Sequence, residues 1–535
     1  MFKYTVDEAS ILGKQWYCMY KTAETVSFEK EHFETAMLNV IRQPNVNSTV
    51  ILRADILKEV EYNIETNEVI NSKEQHFEVT DSETITVDID DMEIKAVDVD
   101  DALKLRSKLS IVRRITPRNP YKDAIINQTC LVMNSVKFTN TSLVVYTPHF
   151  SRKEQCPFYI PQVKGVAILL HEGELSVHYL PFSSTEDDSV LRTESERVVR
   201  TSFRLLQTAN KHSAGVKKGY EKKVNHDVVV PKVAFQDRYI ALKKKYSKFL
   251  VDNWAESTDP KKHVFEDIAI AAFLIELWRK IYGEDYKTNF QFRDLGCGNG
   301  VLCYILLSEG INGIGIDARQ RKSWKIYPKE IQKCLKEQVI IPSILLRPHP
   351  EVKKRAPQLH HNGRFFPVPV QSPSHDLIAP ATVVYSSADL IHSPHVNITE
   401  FPPDTFIIGN HSDELTCWIP MLGYPFMVIP CCSHNFSGAR IRYGVRKSSG
   451  KKNGNSTYAG LVDHVESIAT KVGWKIEKEM LRIPSTRNAA IIGYQNPVLQ
   501  QFPTQEVYDT ILEDGGADGW VENTMALMKK TPRSH

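Results

Sequence analysis

Three glycines stand at alternate positions, 296, 298 and 300, in the stretch Arg293-Asp-Leu-Gly-Cys-Gly-Asn-Gly300. An apolar strand-like run, Phe290 to Leu295, precedes them, and the helical run Val301-Leu-Cys-Tyr-Ile-Leu-Leu follows. Alternate glycines let a backbone turn sharply and meet a ligand without Cβ clashes, and the start of the next helix adds free N–H groups. A dinucleotide fingerprint needs G-x-G-x-x-G. Val301 occupies the position three after Gly298, so that spacing fails. The D-x-G-x-G-x-G form instead fits the loop that cradles the amino-acid end of S-adenosylmethionine, with Asp294, Gly296, Gly298 and Gly300 as its residues. Seventeen residues past Gly300, a second strand-like run Gly313-Ile-Gly-Ile ends at Asp317, whose carboxylate can accept from two ribose hydroxyls. A third strand is expected at Val383-Val-Tyr-Ser-Ser, which would put Asp389 near an adenine amino group.

These residues need a scaffold. From about residue 290, strand-like runs alternate with helical ones: Thr405 to Ile408, Phe426 to Ile429, Trp474 to Ile483 and Ala489 to Tyr494. That rhythm predicts an α/β fold with a doubly wound, Rossmann-like sheet over 256–497. A long helix is expected after Thr258-Asp-Pro, stopped at Gly283. The Pro- and His-rich stretch 342–380 reads as an exposed insertion, and 498–535 as a C-terminal tail. Upstream, 1–140 reads as a mixed α+β region of unknown role. Residues 141–255 combine a hairpin, Val166 to Leu170 against Leu175 to Leu180, with a helical and basic region.

With 535 residues, 42% of them hydrophobic, the chain can bury a sizeable core. The net charge of +3 favours no partner by itself, so any nucleic-acid surface must come from local clusters. No apolar run approaches the roughly 20 residues of a membrane span, and the N-terminus lacks a secretory signal. The nine cysteines include no C-x-x-C pair, which argues against a zinc ribbon or disulfide scaffold, and no metal is expected. These features suit a reduced, cytoplasmic protein. Cys431 and Cys432 read as small buried packing residues.

Further motifs stand in order along the chain: Gly315-Ile-Asp-Ala-Arg-Gln-Arg-Lys-Ser-Trp324, Gly409-Asn-His-Ser-Asp-Glu-Leu-Thr416, Pro430-Cys-Cys432 and Leu481-Arg-Ile-Pro-Ser-Thr-Arg487. With the glycine loop they resemble the eukaryotic tRNA (uracil-2′-O)-methyltransferases, which methylate the ribose of uridine 44 in serine tRNA. The resemblance extends upstream through Lys262-His-Val-Phe-Glu-Asp-Ile-Ala and covers about residues 150 to 495. It implies S-adenosylmethionine as cofactor and tRNA as substrate, with no DNA or membrane partner. Some members carry a C-terminal Cys/His zinc finger, whereas no cysteine follows Cys432 here.

A ribose 2′-hydroxyl is a weak acid, so a base or a cation near the developing alkoxide helps. Many 2′-O-methyltransferases use a Lys-Asp-Lys-Glu set, which cannot be assembled here because the fifth strand opens into Cys431-Cys-Ser-His434. The loop after the fourth strand offers Asn410, His411, Asp413 and Glu414 instead, at the strand end where α/β sheets hold ligands. The alternative for Asp413 and Glu414, weightier for Glu414, is that they cap a following helix. Arg482 and Arg487 are candidates for phosphate or alkoxide. Basic clusters at Arg319, Arg321 and Lys322, at Arg440, Arg442, Arg446 and Lys447, and across 211–248 suit RNA phosphates, with interleaved aromatics for stacking. Two other readings stay open: a catalytically silent RNA-binding subunit, and a methyltransferase acting on protein or a small molecule.

Overall fold

The computed structural model describes residues 2–77, 89–183, 187–219, 226–370, 381–444 and 456–528. The chain forms two compact units, 1–223 and 224–535. In the first, nine antiparallel strands make one sheet, beginning with Phe2–Tyr4 and Tyr17–Thr22 at one edge and ending with Val69–Glu74 at the other. The expected hairpin is present as Gly165–His171 and Glu174–Leu180, and its turn uses positive φ at Glu172 and Gly173. Alternation then separates the two faces. Val144, Ile168 and Val177 join a core with the helices Lys30–Arg42 and Arg197–Lys217, while Leu143, Val145 and Leu169 pack with Leu12 and Trp16 on the other side. A division at residue 140 would cut between the paired strands Ile126–Ser135 and Thr141–Pro148. The division at 255 would likewise part the helix Lys232–Asp252 from the next one, although both feed one core.

The second unit carries a seven-stranded sheet. We label its strands β1 (Gln291–Leu295), β2 (Gly313–Asp317), β3 (Leu335–Glu337), β4 (Thr405–Asn410), β5 (Phe426–Ile429), β6 (Lys475–Met480) and β7 (Ala489–Gln495). Their spatial order is β3-β2-β1-β4-β5-β7-β6. The first five are mutually parallel, and β7 runs antiparallel to both β5 and β6. Neighbouring residues of one strand enter different cores: Phe406 and Ile408 join the helix α1 (Pro260–Tyr282) and α2 (Val301–Ser308), whereas Ile407 joins α3 (Thr457–Lys471). Both faces are therefore covered, as near-continuous apolar strands require. α1 starts as expected, with Asp259 accepting from the Lys261 N–H and Pro260 in the first turn, and ends at Gly283 with φ +81°.

The expected third strand is displaced. Ala381–Ser386 pairs antiparallel with Phe365–Val370 in a separate two-stranded ribbon, and the short Leu335–Glu337 takes the place beside β2. Residues 498–528, expected as a tail, contain two helices, Gln505–Glu513 and Trp520–Leu527, whose Val507 and Trp520 are buried in the core with Trp418.

Candidate active site

A cleft of about 810 Å³ opens where β1, β2 and β4 end, and it is lined from both the glycine loop and the loop after β4. On the first side the loop is held by its backbone. The N–H groups of Gly296 and Cys297 both donate to the Ile316 carbonyl, at 2.8 and 3.1 Å, and that of Gly298 donates to Asp317 Oδ2 at 3.0 Å. Trp324 Nε1 and Tyr327 Oη donate to the carbonyls of Gly298 and Asn299, each at 2.9 Å. All three glycines have positive φ, +81°, +52° and +75°, which L side chains rarely adopt. A Cβ on Gly298 would meet no atom within 4 Å, so this backbone faces open space.

Two carboxylates close this side. Asp294 is 1% exposed; burial pushes it up to about 7 although the Cys303 thiol donates to Oδ2 at 3.3 Å, and its Oδ1 is buried with no partner. Burial also raises Asp317, against the nearby Arg321 guanidinium and the N–H groups of Arg319 and Gly298. Each Asp317 oxygen accepts one backbone N–H and so keeps capacity for a hydroxyl. Open glycine backbone, an unsatisfied buried carboxyl oxygen and a strand-end aspartate fit the amino-acid and ribose parts of S-adenosylmethionine.

On the second side, the lining is made of side chains. β4 ends at Asn410, whose Nδ2 donates to Asp267 Oδ1 at 3.0 Å while its own Oδ1 is buried with no partner. His411 and Asp413 both hold left-handed φ, +52° and +43°. His411 Nε2 lies 3.0 Å from Glu266 Oε1. Asp413 Oδ1 accepts from the Cys431 thiol at 3.0 Å, and Arg487 Nη1 lies 3.6 Å from Cys432 Sγ. Burial drives Asp267 well above the carboxylate range, and the charges of Glu266 and Asp294 add to it. Lys262, His263, Glu266 and Asp267 reach the cleft together because helical neighbours three and four apart share a face. Sequence reasoning gave no role to Glu266 or Asp267.

The other expected positions divide. Glu414 lines the cleft, and a short 3₁₀ turn, Asp413–Leu415, stands where a capped helix was the alternative. Arg482 is absent from the cleft lining; its guanidinium pairs with both oxygens of Asp227, at 2.8 and 2.5 Å, beside Glu479, which accepts the N–H groups of residues 227 to 229. It clips a segment and leaves Arg487 as the arginine of that motif at the cleft. Asp389 is also misplaced, because its strand lies in the ribbon: its carboxylate accepts from Ser386 N and Oγ as part of a capping box, which holds it below its ordinary value. Cys431 and Cys432 are half-buried at the cleft, and with Asp413 they bring three ligand-type atoms within 4.8 Å of one another.

Among the basic residues, Arg319 and Arg321 line the cleft, while Lys322, Arg440 and Arg442 are exposed. Arg446 and Lys447 lie outside the described residues. Among the described aromatics of these clusters, Tyr443 stacks on His464 with ring centroids 3.7 Å apart, Phe235 and Tyr246 are buried in the core, and Tyr239 is partly buried against it.

Comparison with known proteins agrees with this division. Residues 3–223 match the family model of a TRM44-like, N-terminal bet v1-like domain, and residues 229–342 that of a predicted AdoMet-dependent methyltransferase. The first match gives a family to the region whose role the sequence left open. A tRNA (uracil-O(2)-)-methyltransferase of Kluyveromyces lactis is 68% identical over 534 residues, covering 99% of each chain. Its counterpart in Saccharomyces cerevisiae is 64% identical, over 100% of this chain and 96% of its own. That of Schizosaccharomyces pombe is 37% identical, over 95% and 92%. No solved structure matches. Near-complete coverage at such identity, with a cleft suited to a methyl donor, means that the chain belongs to the tRNA (uracil-O(2)-)-methyltransferase family.

Proposed function

We propose that the chain is a tRNA ribose 2′-O-methyltransferase that acts on a uridine, uridine 44 of serine tRNA, in a doubly wound, Rossmann-like second unit. The observation that carries this reading is the pairing, in one cleft, of an open glycine backbone at 296–300 with the polar loop 410–414. Bound S-adenosylmethionine would supply a methyl group already activated on sulfonium sulfur. The chain's residues then have to orient an in-line attack and deal with one proton. Asp294, the glycine loop and Asp317 would hold the donor. Asn410, His411, Asp413 and Glu414 would face the acceptor, and Arg487 and Lys262 supply cations at the same cleft. Arg319, Arg321 and Lys322, with exposed Arg440 and Arg442, would bind phosphates.

The intact glycine loop weighs against a silent RNA-binding subunit. Basic side chains at and beside the cleft weigh against a small-molecule acceptor. Modification mapping of tRNA from cells lacking the protein, with and without re-expression, tests the proposal. Serine tRNA should lose 2′-O-methylation at uridine 44 and regain it; an unchanged modification there would refute the position.

A further inference from the structure

We infer that Glu266 and His411 form a carboxylate–imidazole dyad, in which Glu266 positions His411 to take the proton of the ribose hydroxyl; this rests on the function proposed above. The two residues are 145 positions apart in sequence, yet Nε2 of His411 lies 3.0 Å from Oε1 of Glu266. A carboxylate has no proton to give, so Nε2–H donates and the ring's lone pair sits on Nδ1. Glu266 is nearly buried, with its side chain 9% exposed, whereas that of His411 is 25% exposed and lines the cleft. The base is therefore on the open side and its orienting partner on the closed side, which is the arrangement of nucleophile-activating triads.

The backbone supports this assignment. A non-glycine residue at φ +52° is costly, and such strain persists where the surroundings over-determine it. Here the surroundings are two adjacent hydrogen bonds from the same helix face: Asp267 receives Asn410 Nδ2 at 3.0 Å, and Glu266 receives His411. The chain thereby gains an oriented base without the lysine that many 2′-O-methyltransferases use. Other charged or titratable groups at the cleft include Lys262, His263 and Asp267 on α1, Asp294 on β1, and Asp413 and Glu414 on the same loop. Among these, Asp413 already accepts from a cysteine thiol, and burial keeps Asp267 well above the carboxylate range. In the step, the 2′ oxygen forms the new O–CH₃ bond with its own electron pair. The S–CH₃ bond breaks and leaves its pair on sulfur, and the hydroxyl proton passes to Nδ1 of His411.

A double-mutant cycle reads this coupling. Single-turnover methylation of serine tRNA is measured for the full chain, E266Q, H411A and the double variant, alongside S-adenosylmethionine affinity by calorimetry. E266Q should slow transfer roughly 10²-fold while affinity for the donor stays within about twofold. In the H411A background the same change should cost nothing further, because its effect runs through the imidazole. Added imidazole should restore part of the H411A rate. Equal cost of E266Q in both backgrounds, or loss of donor binding, would reduce Glu266 to a structural residue and overturn the dyad. If E266Q does not fold, E266D replaces it in the cycle and imidazole rescue of H411A decides the role of the histidine; absence of rescue together with additive losses overturns it. A parent chain that binds the donor but transfers nothing to tRNA would overturn the underlying function and the dyad with it.

Discussion

The two sides of the cleft solve the same geometric problem in opposite ways. Each needs left-handed backbone at closely spaced positions. The glycine-loop side gives those positions to Gly296, Gly298 and Gly300, whereas the loop after β4 gives them to His411 and Asp413. Glycine carries positive φ without a Cβ penalty but contributes no side chain. A histidine or aspartate there costs on the order of 1–3 kcal/mol and keeps its functional group. The contrast lies in what each loop presents to the cleft: backbone on one side, imidazole and carboxylate on the other. Helix α1 stabilises the second solution, since Glu266 and Asp267 tie down both His411 and Asn410.

The comparison can be broken most sharply at Gly298. A Cβ there meets no protein atom, so Gly298→Val should still fold, at a cost of roughly 1–3 kcal/mol for a side chain at φ +52°, while that side chain fills the space left for the donor. Calorimetry should show S-adenosylmethionine binding weakened by at least roughly 100-fold, about 2.7 kcal/mol, in a chain that still unfolds cooperatively at a melting temperature lowered only by that backbone strain. Unchanged affinity would mean that the donor is not held by this backbone.

A smaller effect concerns Asp294, held at about 7 by burial. A raised carboxylate favours the folded state below its ordinary value near 3.8, and that contribution is lost as pH rises through 7. A cationic ligand favours the charged form, so binding should release a proton. Affinity for S-adenosylmethionine should then rise about tenfold between pH 6 and pH 8, a gain of about 1.4 kcal/mol. Asp294→Asn should flatten the profile. Buffers of different ionisation enthalpy would report the released proton directly.

The smallest effect isolates the strain at His411. His411→Ala and His411→Gly both remove the imidazole, but only glycine relieves φ +52°. The glycine variant should be the more stable of the two by about 1 kcal/mol in chemical denaturation, with equal loss of turnover. Equal stabilities would show that the backbone at this position is not strained.

What could be read from the chain follows the same contrast. The glycine loop and Asp317 were legible because positive φ restricts residue type and because strand, loop and helix are contiguous. Glu266 and Asp267 were not, since acids inside an apolar helix acquire meaning only from partners more than 140 residues away. Asp389 was misplaced because Val383 to Ser386 looks more like a strand than Leu335–Glu337, three residues with two charges. Its capping box with Ser386 was the signal available. Arg482 could not be told from Arg487 by type or spacing; only the half-buried ion pair with Asp227 separates them. In the first unit, the strand run across residue 140 hid a domain whose boundary lies at 223.

Methyl transfer to a uridine ribose can be measured on the isolated chain. Purified protein, labelled S-adenosylmethionine and unmodified serine tRNA, followed by nuclease digestion and separation of nucleosides, test it most directly. Label should appear in 2′-O-methyluridine from position 44; label in a base-methylated uridine, or none in the RNA, would refute methyl transfer to the ribose.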